Sequence, residues 1–543
     1  MATTQHVEIE AKYDLPEGAA VPDLLGVAAV ARVHDLPVQV LTATYYDTAD
    51  LALQRHRVTL RRRTGGSDDG WHLKLPVVSG ERLEVRRPLG TRPVVPVALR
   101  RLLVTVAGDR RLVPVATLVT HRAVHHLVAA DGQVLAELAD DLVTVEREGT
   151  EMLRWRELEV ELVEGDAAVL GELDKAVRKA GVQPSATSSK IGRVLSADSS
   201  EQPVSWTARL RAVTAAGALL AESEARLRVL DAMARAGRPG APTDLEYGVR
   251  RRRAAEDLAR RLGALGADDA AGRRGELAWA EAALAGAAGL DAAGRVVQES
   301  VGDQPADLVL GPVTRRLDRE VAARRRSEQQ SVAELLTSPR WLRLVAADGA
   351  DLPAADGSGG PDGSAARGAA GGGRSPRGSA GGGRGSAGGG RGSAGRGRGP
   401  AGRDRGPRLG KALPVLSARA ARRLERRLRG LDDATDRGLG ERLSAARHAA
   451  DAALLTVDLA DRVGARRPAW AGRVTEIADL LDRLSMVVAA LELTRAAGVA
   501  AHLAGENGFT FGRVHGLLGA RAGQIARGLR AERKALRRAR REA

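Results

Sequence analysis

The sequence predicts an α+β multidomain chain: an antiparallel β domain first, then an all-α helical bundle interrupted by a disordered Gly/Arg/Ser-rich insertion. Three observations carry this. Residues 1–195 break into short Val-, Leu- and Thr-rich runs separated by turn residues. From Val204 the pattern changes to Ala/Leu/Arg-rich segments with apolar residues at three- and four-residue spacing. Between about 349 and 409 large apolar residues nearly vanish. At 543 residues the chain is also too long for one hydrophobic core.

Candidate strands are 6–13, 41–47, 56–63, 71–76, 82–87, 117–128, 134–138, 141–147 and 154–163. The breaks at 65–70 and at Asp131-Gly132 are too short for parallel crossovers, so the sheet is mostly antiparallel. Helical patches are expected at about 22–30, 95–104 and 166–180. Eight or so strands with few helices fit a sandwich or a closed barrel. The expected domains are 1–196, then a helical bundle over 204–348 and 410–543. Its apolar stripes include Leu210, Val213, Ala216 and Leu220, and Leu317 with Val321. The segment 349–409 cannot offset the entropy of ordering and is expected to be disordered. Its Arg-Gly steps resemble RNA-binding tracts, while its Gly-Ser steps and lack of aromatics fit a flexible linker.

The absence of cysteine excludes disulfides and thiolate metal sites, and fits a reducing cytoplasm. No apolar run approaches the ~20 residues that span a membrane, and the N-terminus lacks a signal-peptide layout. A soluble cytoplasmic protein is the expectation. The net charge of +16 is uneven: residues 1–195 hold 25 Lys+Arg against 27 Asp+Glu, and the remainder holds 59 against 41. A basic surplus there suggests polyanion partners, although Arg-rich solvated helix faces give the same count.

In the first domain the charges alternate with apolar residues. In a strand successive side chains face opposite ways, so Glu8, Glu10 and Lys12 share one face against Ile9 and Ala11. The same holds for Arg57, Thr59, Arg61 and Arg63, for His72 and Lys74, for Arg82, Glu84 and Arg86, and for Thr120 with Arg122. Glu157, Glu159 and Glu161 share a face in the last strand. One such strand is simply half-exposed. Several, with both signs in blocks, fit a closed barrel with a charged interior and apolar backs covered by helices. A basic wall suits a polyphosphate, because Arg offers paired donors and Lys a point charge. An acidic wall suits hard divalent cations.

EIEAK at 8–12, TYYDT at 44–48, VTLRRR at 58–63, WHLKL at 71–75, RLEVRRPLG at 82–90, WRELEVEL at 155–162 and SSK at 188–190 resemble the CYTH, or triphosphate tunnel metalloenzyme, family. The resemblance implies an eight-stranded antiparallel tunnel and dependence on Mg2+ or Mn2+. It implies hydrolysis of inorganic or thiamine triphosphate, action on RNA 5′ ends, or adenylyl cyclase activity. It places metal on Glu8, Glu10, Glu159 and Glu161, and triphosphate on Lys12, Arg61, Arg63, Lys74, Arg86, Arg122 and Lys190. Glu8, Glu10, Lys12 and Lys74 form the catalytic group. Glu84, Glu137, Glu157 and one of Asp140 or Asp141, with Asp140 taken first, complete the lining. His72 is left as a phosphate contact or a spacer at the mouth.

LGPVTRRLDREVAARRR at 310–326, LLTSPRWLRLV at 335–345 and ENGFTFGRVHGL at 506–517 resemble the CHAD domain, a helical polyphosphate-binding bundle. The chain departs from that pattern where Glu246 stands near an expected histidine and where Gln329 and Gln330 replace another. Arg250, Arg251, Arg252 and Arg253 are the candidate polyanion contacts. The expected activity is a metal-dependent phosphohydrolase acting on inorganic triphosphate, or on thiamine triphosphate, with the bundle holding long-chain polyphosphate or localising the enzyme. The alternatives are an adenylyl cyclase using the same tunnel, or a non-catalytic protein binding polyphosphate or RNA.

Overall fold

The structure, a computed structural model, describes residues 4–66, 68–76, 82–147, 150–187, 189–196, 208–265, 267–346, 409–431 and 438–542. Most of the Gly/Arg/Ser-rich insertion expected at 349–409 lies outside the described residues. The strands are β1 (Thr4–Glu8), β2 (Glu10–Leu15), β3 (Arg32–Asp35), β4 (Gln39–Asp47), β5 (Thr59–Thr64), β6 (Gly70–Pro76), β7 (Arg82–Arg87), β8 (Val113–Val128), β9 (Val134–Arg147), β10 (Thr150–Leu162) and β11 (Gln183–Pro184). All pairings are antiparallel, in the order β1-β7-β6-β5-β4-β8-β9-β10-β2-β11, with β3 added to β8. Only Ile9 separates β1 from β2, so they make one bent strand. Its first half pairs β7 and its second half pairs β10. The two ends of the sheet therefore meet on that strand, and the sheet curls round a central tunnel.

Counting β1 and β2 as one and leaving aside the two-residue β11, the sheet has nine strands among the described residues rather than the eight expected. The addition is β3, whose four residues are all exposed and carry no apolar alternation to announce them. The segments 134–138 and 141–147 are one continuous strand, β9, because Ala139 and Asp140 stay in the ladder. No helix forms at 22–30: Gly26, Ala28 and Ala29 have positive φ and turn the chain, while Leu24 and Val30 plug the sheet's outer face.

The helices are α1 (Ala52–Arg55), α2 (Val97–Leu102), α3 (Val104–Ala107), α4 (Ala167–Lys179) and α5 (Lys190–Ser196), then α6 (Ala208–Arg235), α7 (Ala241–Leu262), α8 (Ala267–Leu284), α9 (Leu290–Gly302), α10 (Val313–Thr337), α11 (Pro339–Val345), α12 (Leu409–Arg429), α13 (Leu439–Arg462), α14 (Ala471–Leu503) and α15 (Phe509–Glu542). The unforeseen α1 is organised by Asp47. Its buried carboxylate accepts the N–H groups of Thr48, Leu53 and Gln54, and β5 consequently starts at Thr59 rather than 56. At Gly65 (φ 98°) any Cβ would collide with the Val40 carbonyl oxygen, so the β5–β6 turn can press against β4 only without a side chain.

The apolar backs of β5, β6 and β7 are covered mainly by the helical region. Leu60, Trp71, Leu73, Leu75, Leu83 and Val85 form one buried cluster with Leu227, Leu230 and Met233 of α6, Val249 of α7 and Trp341 of α11. At ~2 kcal/mol for each fully buried large side chain, this contact is part of what holds the tunnel together. A polar lock lies beside it. The fully buried Asp231 of α6 accepts from Thr105 Oγ1 of α3 (2.8 Å), from Trp341 Nε1 (2.7 Å) and from Arg235 Nε (2.7 Å). α14 is long and apolar enough by composition to cross a membrane, contrary to the expectation that no run would be. Val474, Ile477, Leu481, Leu484, Val487 and Leu493 bury one stripe of it in the bundle core instead.

Candidate functional site

The inward faces of the strands line a cavity of about 470 Å³. Six carboxylates and eight Lys or Arg side chains border it, so both signs are packed into one partly enclosed space. Glu8, Glu10, Lys12, Arg61, Arg63, Lys74, Arg86, Arg122, Glu137, Glu159, Glu161 and Lys190 all border it. Strand register explains the grouping. Directly opposed residues across β9, β10 and β2 give a row Glu137–Glu161–Glu10, and the adjacent row runs Ala139–Glu159–Lys12.

The acidic and basic groups hold one another. Lys74 Nζ lies 2.6 Å from Glu8 Oε2 and 3.9 Å from Glu84 Oε1. Lys12 bridges Glu10 (3.0 Å) and Glu159. Arg122 donates through Nε and Nη2 to both oxygens of Asp141 (2.7 and 2.5 Å) and through Nη2 to Glu159 (2.7 Å). The Lys190 ammonium sits on Asp141 (2.9 Å), Glu157 (2.7 Å) and Glu159 (2.7 Å) together. Burial disfavours the charge on Lys190, but these three carboxylates outweigh it and hold its pKa up. Burial likewise opposes the charge on Glu159, and Lys12, Lys190 and Arg122 overcome it and hold the carboxyl well below its usual range.

Elsewhere the pairing is incomplete. Burial, then the facing charges of Glu8 and Glu10, push Glu161 up to about 7. Glu10 Oε1 is buried without a hydrogen-bond donor, and on the opposite wall Arg61 Nε and Arg63 Nε are buried without an acceptor. Burial and the neighbouring Arg61 and Arg122 press the Arg63 pKa down, as a wall short of negative charge should. Orphaned buried donors and acceptors each cost ~1–3 kcal/mol and mark places where a ligand completes the structure. The tunnel thus presents unfilled donors on one wall and an unfilled carboxylate oxygen on the other.

The residues present fit a hard divalent ion. Asp141, Glu157 and Glu159 form a carboxylate triad whose ligand atoms lie within 4.8 Å of one another. Lys190, Arg122 and Lys12 together already compensate that triad. Glu8 and Glu10 are less crowded, each facing one close lysine, Lys74 at 2.6 Å and Lys12 at 3.0 Å, and Glu161 beside them is the least compensated. Carboxylate oxygen is the donor type that Mg2+ and Mn2+ prefer.

Two sequence expectations are corrected by side-chain direction. Asp140 faces away from the tunnel and is paired with Arg156 (Nε–Oδ1 2.8 Å), whereas Asp141 faces in. Glu137, Ala139 and Asp141 share one parity on the continuous β9, and dividing the strand lost that phase. Arg250, Arg251, Arg252 and Arg253 form no open cationic patch. Arg250 is buried on Asp451 (2.5 Å) and Glu246, Arg251 is held by Asp458, Arg252 by Glu224 and Glu256, and Arg253 by Glu281.

His72 is fully buried, with Nδ1 2.9 Å from Glu84 Oε1 and Nε2 2.9 Å from the Asp68 carbonyl oxygen. It braces Glu84, itself paired with Arg86, and the turn that brings Asp68 to Arg63. Glu84 and Glu157 are buried beneath the lining. Tyr45, which the alternation of its own strand does not mark as a site residue, opposes Arg61 in the β4–β5 ladder and borders the tunnel. Burial raises its phenol pKa, but Arg61, with Lys190 and Lys74, more than reverses this and lowers it. Cross-strand register, invisible in one strand's pattern, is what finds Tyr45.

An antiparallel sheet curled round a tunnel of opposed charges is the architecture of a triphosphate tunnel fold. Residues 6–188 match the family model of the CYTH domain. Two uncharacterized proteins of Mycobacterium tuberculosis, from strains CDC 1551 and H37Rv, are each 39% identical over 211 residues, covering 36% of this chain. The match spans about 41% of the length of those relatives. Among solved structures, a putative adenylate cyclase from Bacillus halodurans is 20% identical, covering 35% of this chain and 97% of its own, with a TM-score of 0.25. A putative adenylyl cyclase from Hippeastrum with a dominant triphosphatase activity is 18% identical, covering 36% of this chain and 97% of its own, with a TM-score of 0.24.

Proposed function

We propose that the tunnel is the active site of a metal-dependent phosphohydrolase that cleaves the terminal phosphoanhydride of a linear triphosphate. The observation that carries this reading is the contrast between Arg61 and Arg63 Nε donors without an acceptor on one wall and, on the other, Glu161 pushed up to about 7 beside Glu10 Oε1, which has no hydrogen-bond donor and only the Arg82 guanidinium at 3.7 Å. Phosphate oxygens complete the first, and a cation completes the second. Arg61, Arg63, Arg86 and Arg122 grip the phosphates through paired donors, and Lys12, Lys74 and Lys190 add point charges. Glu8, Glu10 and Glu161 would hold the divalent ion, with Glu159, itself paired with Lys12, Lys190 and Arg122, beside them. A bound Mg2+ or Mn2+ would supply charge against the phosphate oxygens and so make the terminal phosphorus more open to attack by water. Lys12 and Lys74 sit where the acidic and basic walls meet, next to Glu10 and Glu8, so they steady the carboxylates and face the phosphates. Hydrolysis breaks the bond between the terminal phosphorus and its bridging oxygen, releasing orthophosphate and, from inorganic triphosphate, diphosphate.

Inorganic triphosphate is the favoured substrate, since charge alone satisfies its recognition, with thiamine triphosphate next. The helical region resembles the CHAD domain, and long-chain polyphosphate is its proposed ligand. Because Arg250 to Arg253 are closed by carboxylates, that contact has to use other cations. A panel of triphosphate, thiamine triphosphate, ATP and polyphosphate, each with Mg2+ and with Mn2+, tests the assignment. Phosphate release from triphosphate supports it, cyclic AMP from ATP would replace it with the cyclase, and tight binding without turnover would leave a binding protein.

A further inference from the structure

We infer that the mouth of the tunnel carries a second, distinct metal site, built from His34, His126 and Glu137 and suited to a borderline divalent ion such as zinc, cobalt or nickel. The site depends on β3, the strand beyond the expected eight. In the β3–β8 ladder His34 lies directly opposite His126, and in the β8–β9 ladder His126 lies directly opposite Glu137. Directly opposed residues share a face of the sheet, with Cβ atoms ~5 Å apart. Two imidazoles and a carboxylate therefore stand in a row across three strands, and His126 and Glu137 border the tunnel.

One distance is already close to that of a ligand pair, and His34 stands farther off. His126 Nε2 lies 3.6 Å from Glu137 Oε2. Two ligands at ~2.1 Å from one tetrahedral ion are themselves ~3.4 Å apart, so a shift of a few tenths of an ångström brings both onto one centre. The His34 and His126 rings are tilted by 46° with centroids 6.5 Å apart. Every residue of β3 is exposed, so the His34 ring is free to turn toward the same point. The strand itself is pinned from its other face, where His125 Nδ1 lies 2.6 Å from Asp35 Oδ1. That contact helps fix the register that sets His34 opposite His126.

The chemistry differs from that of the inner carboxylates. Glu8, Glu10 and Glu161 offer only hard oxygen, whereas two imidazoles with one carboxylate favour zinc, cobalt or nickel over magnesium. The row continues past Glu137 to Glu161 and Glu10, so an ion at the mouth would add positive charge at the end of the same acidic stripe. The site does not rest on the reaction proposed for the tunnel.

The test is a Co2+ titration of the full chain in excess Mg2+, read by visible d–d absorption. One Co2+ per chain with nitrogen-ligated d–d bands is expected. Its affinity should fall on the order of a hundredfold in His34→Ala and in His126→Ala. It should hold in His121→Ala, on the opposite face of β8. His34 is exposed on a short added strand, so its loss should leave folding intact, checked by the unfolding temperature. Absence of d–d bands, or His34→Ala binding Co2+ as tightly as the parent, would overturn the site and leave His126 and Glu137 as a simple side-chain contact.

Discussion

Glu161 lies directly across the β10–β2 ladder from Glu10, and both carboxylates border the same tunnel. Two acids held this close inside a protein cannot both be charged cheaply without a cation. That conflict makes the tunnel's acidic wall responsive to pH and to metal.

The first consequence concerns pH. A carboxyl in the unfolded chain releases its proton near ~4.3, but folded Glu161 does so at about 7. Between those values the folded state binds more protons, so stability from this group falls as pH rises through the window. In metal-free protein Glu161→Gln should therefore raise stability at pH 8, by about 3–4 kcal/mol, and leave it nearly unchanged at pH 4. Thermal unfolding at the two pH values measures it.

Lys190 should be the most costly single cation to remove. It is buried against Asp141, Glu157 and Glu159, so Lys190→Ala leaves three facing carboxylates. A loss of ~3–5 kcal/mol is expected. If the triad can accept a divalent ion, millimolar Mg2+ or Mn2+ should restore much of the unfolding temperature in this variant.

On the basic wall, Arg61→Ala and Arg63→Ala each delete donors to phosphate. A charged hydrogen bond contributes ~1.5–3 kcal/mol, so triphosphate affinity should fall roughly ten- to a hundredfold. Isothermal titration with Ca2+ in place of the activating ion reads this directly. Arg57→Ala should not change it, since Arg57 turns away at positive φ before β5 begins.

The tunnel should also depend on the helices behind it. Residues 1–196 alone would expose Leu60, Trp71, Leu73 and Leu75, all buried in the shared cluster. That fragment is expected to aggregate, and Asp231→Ala, which unties Thr105 and Trp341 at once, should lower the unfolding temperature of the full chain as a single transition. Scanning calorimetry and size exclusion check both.

Much of this was legible in the sequence, for a physical reason. Charged residues at a strict period of two mark a face, and faces survive errors of one or two residues in strand ends. Glu8, Glu10, Lys12, Lys74 and Glu159 all border the tunnel for that reason. What escaped depends on information that one strand does not hold. Asp140 was favoured over Asp141 because the Ala139-Asp140 step reads as a break although the ladder runs through it. Tyr45 needed register with Arg61, and β3 needed a partner, since its own four residues are exposed throughout. Arg250 to Arg253 read as a patch because their carboxylates come from distant helices, with Asp451 and Asp458 about two hundred residues along the chain.

The central claim is that the under-paired carboxylates hold a divalent ion for cleavage of a triphosphate gripped by the arginine wall. The most direct measurement is orthophosphate release from inorganic triphosphate with Mg2+ or Mn2+, by the parent chain and by Glu8→Gln and Glu10→Gln, each checked for folding. The account predicts metal-dependent release by the parent and a loss of at least about a hundredfold in both variants, ~2.7 kcal/mol of barrier. Release that persists in Glu8→Gln and Glu10→Gln, or a folded parent that turns over no triphosphate with either ion, would contradict it.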